Sequence, residues 1–378
     1  MIALLLAFAV SLCATMLVVR SAKVHAHFSA DDDTSGPQKF HAHPVPRIGG
    51  LGIFVGVLTV VVHAGLGSPD LARTGALVLL CGAPAFLAGL TEDLTKRVSP
   101  RLRLLATAIS AGLAIWLLDA LITKTDIPGL DWLAAWPLGA AALTIFAVAG
   151  IANSVNIIDG FNGLASMCVV LILTALAYVA FQVRDPLIGT LALTGIGAVL
   201  GFFLWNFPAG LIFLGDGGAY FLGFFVAELS ILLLQRNPGE VSPLFPLLIC
   251  IYPVFETLFS IYRRRFLRSV PPSMPDGIHL HSLIYRRVLR WAVGGRGAKA
   301  LTRRNSMTSP YLWLLCMLSV APAVLFWNNS AALGILLFLF GLTYVLLYWR
   351  IVRFKAPRWM KFRSVRARRV TEADNRGT

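Results

Sequence analysis

The chain has 378 residues, of which 57% are hydrophobic and only 13% charged, against roughly a quarter charged in an ordinary soluble domain. Its mean hydropathy of +0.75 means more apolar side chain than a water-soluble interior of this size can hide, so soluble domains are excluded and lipid is the expected solvent. The 33 Lys and Arg exceed the 18 Asp and Glu by 15, and their placement decides whether nucleic acid or membrane orientation accounts for them.

At about 20 apolar residues per crossing, the chain predicts eleven spans: 2–20, 48–65, 74–91, 104–123, 132–151, 164–181, 187–205, 217–234, 244–262, 309–327 and 331–349. The expected fold class is all-α, a polytopic membrane helical bundle of about 11 transmembrane helices. It forms one integral-membrane domain over 1–349, followed by a basic tail over 350–378. The first segment has no basic residue before Arg20, which favours a retained helix over a cleaved leader. With the N-terminus outside, the inside segments 20–47, 92–103, 152–163, 206–216, 263–308 and 350–378 hold 29 of the 33 basic residues. The outside segments hold Arg73, Lys124, Arg184 and Arg236. This asymmetry places the C-terminus in the cytoplasm, reads the basicity as orientation, and sets nucleic acid aside as a partner. Trp132, Trp205, Trp313, Trp327 and Trp349 fall near span ends, as an interfacial aromatic belt requires. The five cysteines are scattered singly, with no metal or redox spacing. The tail interleaves ten basic residues with Phe354, Trp359, Met360 and Phe362 and reads as a segment lying on anionic membrane lipid.

The acids are few, so their positions carry information. Asp70, Asp126, Asp131, Asp185 and Glu240 fall in outside loops and read as solvated charges, whereas Asp119, Glu228 and Glu256 lie in or near spans, where pairing and function are equally open. Four others mark cytoplasmic corners. Glu92 and Asp93 follow the third span, Asp159 sits in NSVNIIDGFNGLA, and Asp216 sits in FLGDGGAYFLG. Each could cap a helix. Three carboxylate corners at one depth, two without a basic residue in the loop, would repel one another, and a divalent cation relieves that repulsion. Hard oxygen ligands specify Mg²⁺ or Mn²⁺ completed by substrate phosphates. Lys39, His41, His43 and Arg47 in loop 21–47, and His279 and His281 in loop 263–308, add anion-binding groups. After His281, the residues Leu283, Ile284, Val288, Trp291 and Ala292 form one apolar face with Arg286, Arg287 and Arg290 elsewhere, which predicts an amphipathic interfacial helix. Several Asp, Arg and His at a membrane surface suit phosphoryl transfer.

Five motifs in order, KFHAHPVPRIGG, the acidic pair, NSVNIIDGFNGL, FLGDGG and DGIHLH, resemble the polyprenyl-phosphate N-acetylhexosamine-1-phosphate transferase superfamily over residues 31–285. The resemblance implies a helical bundle with a cytoplasmic groove in the bacterial inner membrane. It implies transfer of a sugar-1-phosphate from a UDP-sugar to undecaprenyl phosphate, with release of UMP. It further implies catalytic roles for Glu92, Asp93, Asp159 and Asp216, with Mg²⁺ on Asp216 and Asp93. Asn156, Asp159 and Gly160 would contact the nucleoside and Phe213 would stack on uracil, Asn153 would be a further substrate-binding residue, and Lys39, Arg47, His279 and His281 would hold phosphate or sugar. Glu92 stands where the family carries Asp, and Ser282 where it carries a third histidine. The lack of a denser histidine run points to the amino-sugar branch over the phospho-MurNAc-pentapeptide translocase. A transporter or channel, and a degenerate subunit that only binds the lipid carrier, are the competing classes. A homodimer stays open.

Overall fold

The computed structural model describes residues 1–22, 45–267, 278–292 and 297–353, with backbone alone for Leu267, Trp291 and Ala292. The described chain is all-helical. In order, the helices are α1 (Ile2–Arg20), α2 (Gly49–Ala64), α3 (Pro69–Thr95), α4 (Pro100–Leu118), α5 (Leu130–Ala134), α6 (Pro137–Ile158), α7 (Leu164–Gln182) and α8 (Pro186–Asn206). They continue as α9 (Gly215–Arg236), α10 (Leu244–Ile249), α11 (Ile251–Tyr262), α12 (Leu280–Leu283), α13 (Leu289–Ala292), α14 (Ala298–Leu325) and α15 (Ser330–Val352). Two π-helical turns, Arg263–Leu267 and Ile284–Val288, extend α11 and join α12 to α13. Among the described residues, nine helices are long and apolar enough to cross a membrane, and α2 is a shorter apolar helix.

The eleven expected spans are therefore corrected in four places. The span at 244–262 breaks at Cys250 (φ −92°, ψ 2°) into α10 and α11, because Pro253 has no N–H to donate to Ile249 and its ring crowds that carbonyl. The span at 104–123 stops at Leu118, where Asp119 takes a left-handed conformation (φ 55°). The span at 132–151 starts later, with Pro137 in the first helical turn, where the missing N–H costs nothing. It then runs on to Ile158, so Asn153 and Asn156 lie on the last turns of a helix instead of in a corner. The span at 309–327 begins eleven residues earlier, at Ala298.

Helix α9 is the pillar of the bundle. It contacts α2, α3, α4, α6, α7 and α8, and every residue from Gly215 to Leu233 is buried, as expected of a helix that is apolar all round. Glu228 lies inside this pillar, fully buried, with neither carboxyl oxygen hydrogen-bonded among the described residues. It is twelve residues, about 18 Å, along the helix from Asp216. By contrast α1 and α15 expose Leu5, Leu17, Phe338, Leu339 and Leu346 on the outer surface, an apolar area whose natural solvent is lipid. Inter-helix polar bonds fasten the periphery. Ser11 Oγ donates to the Ala198 carbonyl at 2.6 Å and Trp205 Nε1 to the Leu12 carbonyl at 3.1 Å, joining α1 to α8.

The two ends of the bundle differ in chemistry. At one end Lys124 pairs with Asp126 at 2.9 Å, Ser330 Oγ donates to Asp126 at 2.5 Å, and Ser242 and Ser330 share a hydrogen bond of 2.7 Å. Asp185, expected to be a solvated loop charge, is buried there. It caps α8 through the Ile188 N–H and is held by Arg236 Nε at 2.7 Å. The opposite end gathers the C-termini of α3, α6 and α8 with the N-termini of α4, α7 and α9, and it holds the candidate site.

Candidate active site

The site begins with three backbone bonds that align separate segments. Phe213 N donates to the Pro46 carbonyl at 2.8 Å and Gly49 N to the Phe213 carbonyl at 3.0 Å, with Gly50 N donating to the Leu214 carbonyl at 2.9 Å. This pairing lays Arg47 against the start of α9. The fit needs glycine. Gly215 has φ +77°, and a Cβ there would fall 1.8 Å from the Arg47 carbonyl oxygen and 2.6 Å from Asp93 Oδ2.

Asp93, on the last turn of α3, is buried at 1% exposure and directs both oxygens at the N-terminus of α9. Oδ1 accepts from Asp216 N and Oδ2 from Gly217 N, each at 2.9 Å. A carboxylate at a helix N-terminus satisfies two orphan N–H groups and faces the positive end of the macrodipole. Asp216 itself turns to side chains. Asn156 Nδ2 donates to Oδ1 at 2.7 Å, Arg47 Nη2 lies 3.8 Å from the same oxygen, and Arg103 Nη1 pairs with Oδ2. Arg47 Nε also stands 3.9 Å from Asp93 Oδ1. Arg103 lies 5.8 Å from the Tyr220 ring centroid, and Tyr220 OH donates to Asn153 Oδ1 at 3.3 Å. The Nε of Arg103 is a buried donor with no partner among the described residues, and a guanidinium N–H suits an anionic oxygen.

Asp159 follows the last residue of α6. Burial pushes its carboxyl up to about 7, against the opposing pull of Arg47, although the residue keeps partial exposure. The following turn is pinned from two helices. Asn162 N donates to Asn305 Oδ1 at 2.8 Å, Gly163 N to Asn206 Oδ1 at 2.5 Å, Ser309 Oγ to the Asn162 carbonyl at 2.6 Å and Trp313 Nε1 to the Gly163 carbonyl at 3.0 Å. The histidine segment closes over this turn. His281 Nε2 lies 3.3 Å from where a Cβ on Gly160 would sit, and its ring meets Phe161 edge-on at 5.4 Å.

Of the residues expected from sequence, the structure brings Arg47, Asp93, Asn153, Asn156, Asp159, Gly160, Asp216, His279 and His281 to one end of the bundle. Phe213 reaches it through its backbone. Glu92 does not join the cluster, since its Oε2 accepts from Val98 N at 2.6 Å and closes the turn after α3. Lys39, His41 and His43 lie outside the described residues. The expected interfacial helix is corrected. Leu283, Ile284 and Val288 are buried in the protein core, not laid on lipid, while Arg286 and Arg290 are exposed. Arg103, Asn162, Asn206 and Asn305 were not anticipated. Only Arg103 carried a signal, a cation next to the acidic corner in PRLRLL.

Among the described residues, no group of three or more His, Cys, Asp or Glu stands together as a metal cage. Asp216, whose oxygens meet side chains and not backbone N–H groups and which has the Asn156 amide beside it, fits Mg²⁺, which takes one or two carboxylates and draws its other ligands from phosphates and water.

Residues 76–234 match the model of glycosyl transferase family 4. The chain is 33% identical over 285 residues to a probable undecaprenyl-phosphate N-acetylglucosaminyl 1-phosphate transferase of Bacillus subtilis (strain 168), covering 74% of this chain and 77% of that protein. It is 28% identical over 262 residues to an undecaprenyl-phosphate alpha-N-acetylglucosaminyl 1-phosphate transferase of Thermotoga maritima, covering 68% and 74% respectively. A phospho-N-acetylmuramoyl-pentapeptide-transferase of Streptococcus thermophilus is 37% identical over 131 residues, covering 34% of this chain and 38% of that one.

Proposed function

We propose that this chain, which belongs to glycosyl transferase family 4 and its superfamily of polyprenyl-phosphate N-acetylhexosamine-1-phosphate transferases, takes the sugar-1-phosphate of a UDP-N-acetylhexosamine and passes it to undecaprenyl phosphate. An oxygen of the lipid phosphate attacks the β-phosphorus of the donor. The bond from that phosphorus to the bridging oxygen breaks, UMP leaves, and the product is a lipid-linked sugar diphosphate. No protein nucleophile is required, because the task is to align two phosphates and neutralise their charge.

The observation that carries this reading is Asp216 at the head of a buried helix, ringed by Arg47, Arg103 and Asn156. Asp216 would hold Mg²⁺ or Mn²⁺, which supplies Lewis-acid polarisation of the diphosphate. Arg47 and Arg103 neutralise the transferring group. Asp93 supports the site from behind, since its oxygens are engaged by backbone N–H groups, and the metal assignment rests on Asp216 alone. Asp159, Gly160 and Asn156 form the wall beside the histidines, where the nucleoside and sugar are recognised. Orientation is supported by charge, because the inside segments carry 29 of the 33 basic residues, and those among the described residues, such as Arg20, Lys96, Arg103, Arg263, Arg303 and Arg350, stand at the helix ends on the site side. The active site then faces the cytoplasm of a bacterial inner membrane.

The test is release of UMP from purified protein with Mg²⁺, undecaprenyl phosphate and a panel of UDP-sugars. Release with one UDP-N-acetylhexosamine is expected, and silence across the panel while an active relative works alongside would overturn the reading. Asp216→Asn should lower turnover by at least about 10²-fold with the fold intact. The pentapeptide branch is favoured by the 131-residue match alone, and preferential turnover of a UDP-MurNAc-pentapeptide would establish it instead. Substrate flux without UMP release in proteoliposomes would point to transport.

A further inference from the structure

Glu256 sits on α11 at 1% exposure, in an expected span whose sequence leaves pairing and function equally open. Its carboxylate is fully engaged. Oε1 accepts from His279 Nδ1 at 2.9 Å and from Leu280 N at 3.1 Å, and Oε2 accepts from Tyr344 OH at 2.7 Å. His279 stacks on His281 with centroids 5.1 Å apart and planes within 19°, and both rings are buried, at 5% and 3% exposure. His281 in turn packs on Phe161 and Gly160, next to Asp159. An unbroken chain of contacts thus runs from Tyr344 on α15, through Glu256 and the two rings, to the turn after α6.

The backbone of the same segment is held from the same helices. Arg263 Nη1 donates to the Ile278 carbonyl at 3.0 Å and to Tyr348 OH at 2.8 Å, and Tyr348 OH donates to the Ile278 carbonyl at 3.2 Å. Arg287 Nη1 donates to the Ile351 carbonyl at 3.2 Å.

We infer that Glu256 and Tyr344 are positioning residues for His279, and that the last helix is part of the framework of the active site. This rests on the reading above that the histidine pair meets the donor's phosphate or sugar. The physical reason is that a fully buried carboxylate is a poor way to stabilise a membrane bundle, since well-packed apolar residues serve as well or better. It is a good way to fix an imidazole. A carboxylate on Nδ1 keeps the proton on that nitrogen in the neutral ring, sets the ring plane, and directs Nε2 to the side away from Glu256. Tyr344 holds the second oxygen, so the carboxylate cannot rotate away from the ring. The aligned His279 ring then sets the plane of His281 by stacking.

The experiment uses the full chain in nanodiscs, as wild type, Glu256→Gln and Tyr344→Phe, with two readouts. The first is ¹⁵N NMR of ring-labelled histidine, with the His279 signal assigned by its loss in His279→Asn. Wild type should show a His279 proton on Nδ1, and Glu256→Gln should move that signal or shift the proton to Nε2. The second is steady-state UMP release. Glu256→Gln should lower kcat by about 10²–10⁴-fold, the range of a carboxylate that sets a catalytic tautomer, with KM for the UDP-sugar little changed and the thermal transition retained. Tyr344→Phe should lower kcat by about tenfold and displace the same resonance less. An unchanged His279 signal in Glu256→Gln overturns the inference even if activity falls, and so does an unchanged kcat in a folded variant. Should wild type release no UMP from any donor, the function proposed above fails, while the NMR arm still decides whether Glu256 governs His279. Tyr344→Phe removes one hydroxyl, so it decides the matter if Glu256→Gln does not fold.

Discussion

Asp93 and Asp216 stand on facing helix ends, yet their carboxylates meet different partners. Asp93 accepts two backbone N–H bonds at 2.9 Å, while Asp216 accepts from Asn156 and forms ion pairs with Arg103 and, at 3.8 Å, Arg47. Hydrogen bonds to a charged group contribute about 1.5–3 kcal/mol each. Asp93→Asn replaces one acceptor by an NH₂ facing a backbone N–H. We expect it to lose roughly 3 kcal/mol of stability and most of its turnover, read by thermal unfolding in detergent beside UMP release. Loss of turnover with an unchanged unfolding transition would place Asp93 among the reacting groups instead. Asp159 offers a pH test. Its folded-state value is raised to about 7 from 3.8, chiefly by burial, so the folded protein holds a proton that the unfolded chain releases. That stabilisation is complete below about 3.8 and disappears as pH rises through 7. The unfolding temperature of the wild type should therefore fall between pH 5 and 8 relative to that of Asp159→Asn, and parallel profiles would show that the carboxyl is already ionised at pH 5.

At the scale of elements, the site depends on helices approaching more closely than side chains allow. A Cβ on Gly50 would come within 2.3 Å of the Gly218 Cα, and one on Gly89 within 2.5 Å of Gly217 N. These contacts set α2 and α3 directly on the first turn of α9. Gly50→Ala should push α2 outward, lower stability by about 1–3 kcal/mol as overpacking does, and separate Arg47 from Asp216. Thermal unfolding and UMP release would both register it, and wild-type values for both would refute the close contact. Such contacts explain what could be seen beforehand. The apolar runs and the motif order were visible because each is a local pattern. The continuation of α6 through Asn156 was not, since NSVNII reads as polar corner by composition and becomes helix only when α9 packs against it. The pairing of Arg103 with Asp216 spans 113 residues, and the bond of Tyr344 to Glu256 spans 88. No window along the chain contains either.

For the whole molecule, charge and shape concur. The described basic residues of the inside segments, such as Lys96, Arg103, Arg263 and Arg303, stand at the end that holds the site, and the opposite end has local pairs such as Lys124 with Asp126. In a cysteine-free background, Lys96→Cys should resist an impermeant thiol reagent applied to intact cells and react after lysis, whereas Lys124→Cys should react in intact cells. The reverse pattern would invert the topology. The sequence by itself determined that the chain lives in lipid, that it is helical, and which corners carry carboxylates, because hydropathy and charge are properties of single residues and short runs. It also suggested a cation to relieve repulsion among those carboxylates, on the ground that two of the corners contained no base. What only the tertiary structure decided is which protein groups those carboxylates meet. It brings Arg47 and Arg103 to Asp216 and turns Asp93 onto backbone N–H groups, because charge neutrality in a folded bundle is settled across helices that meet in space and not within the loops that join them.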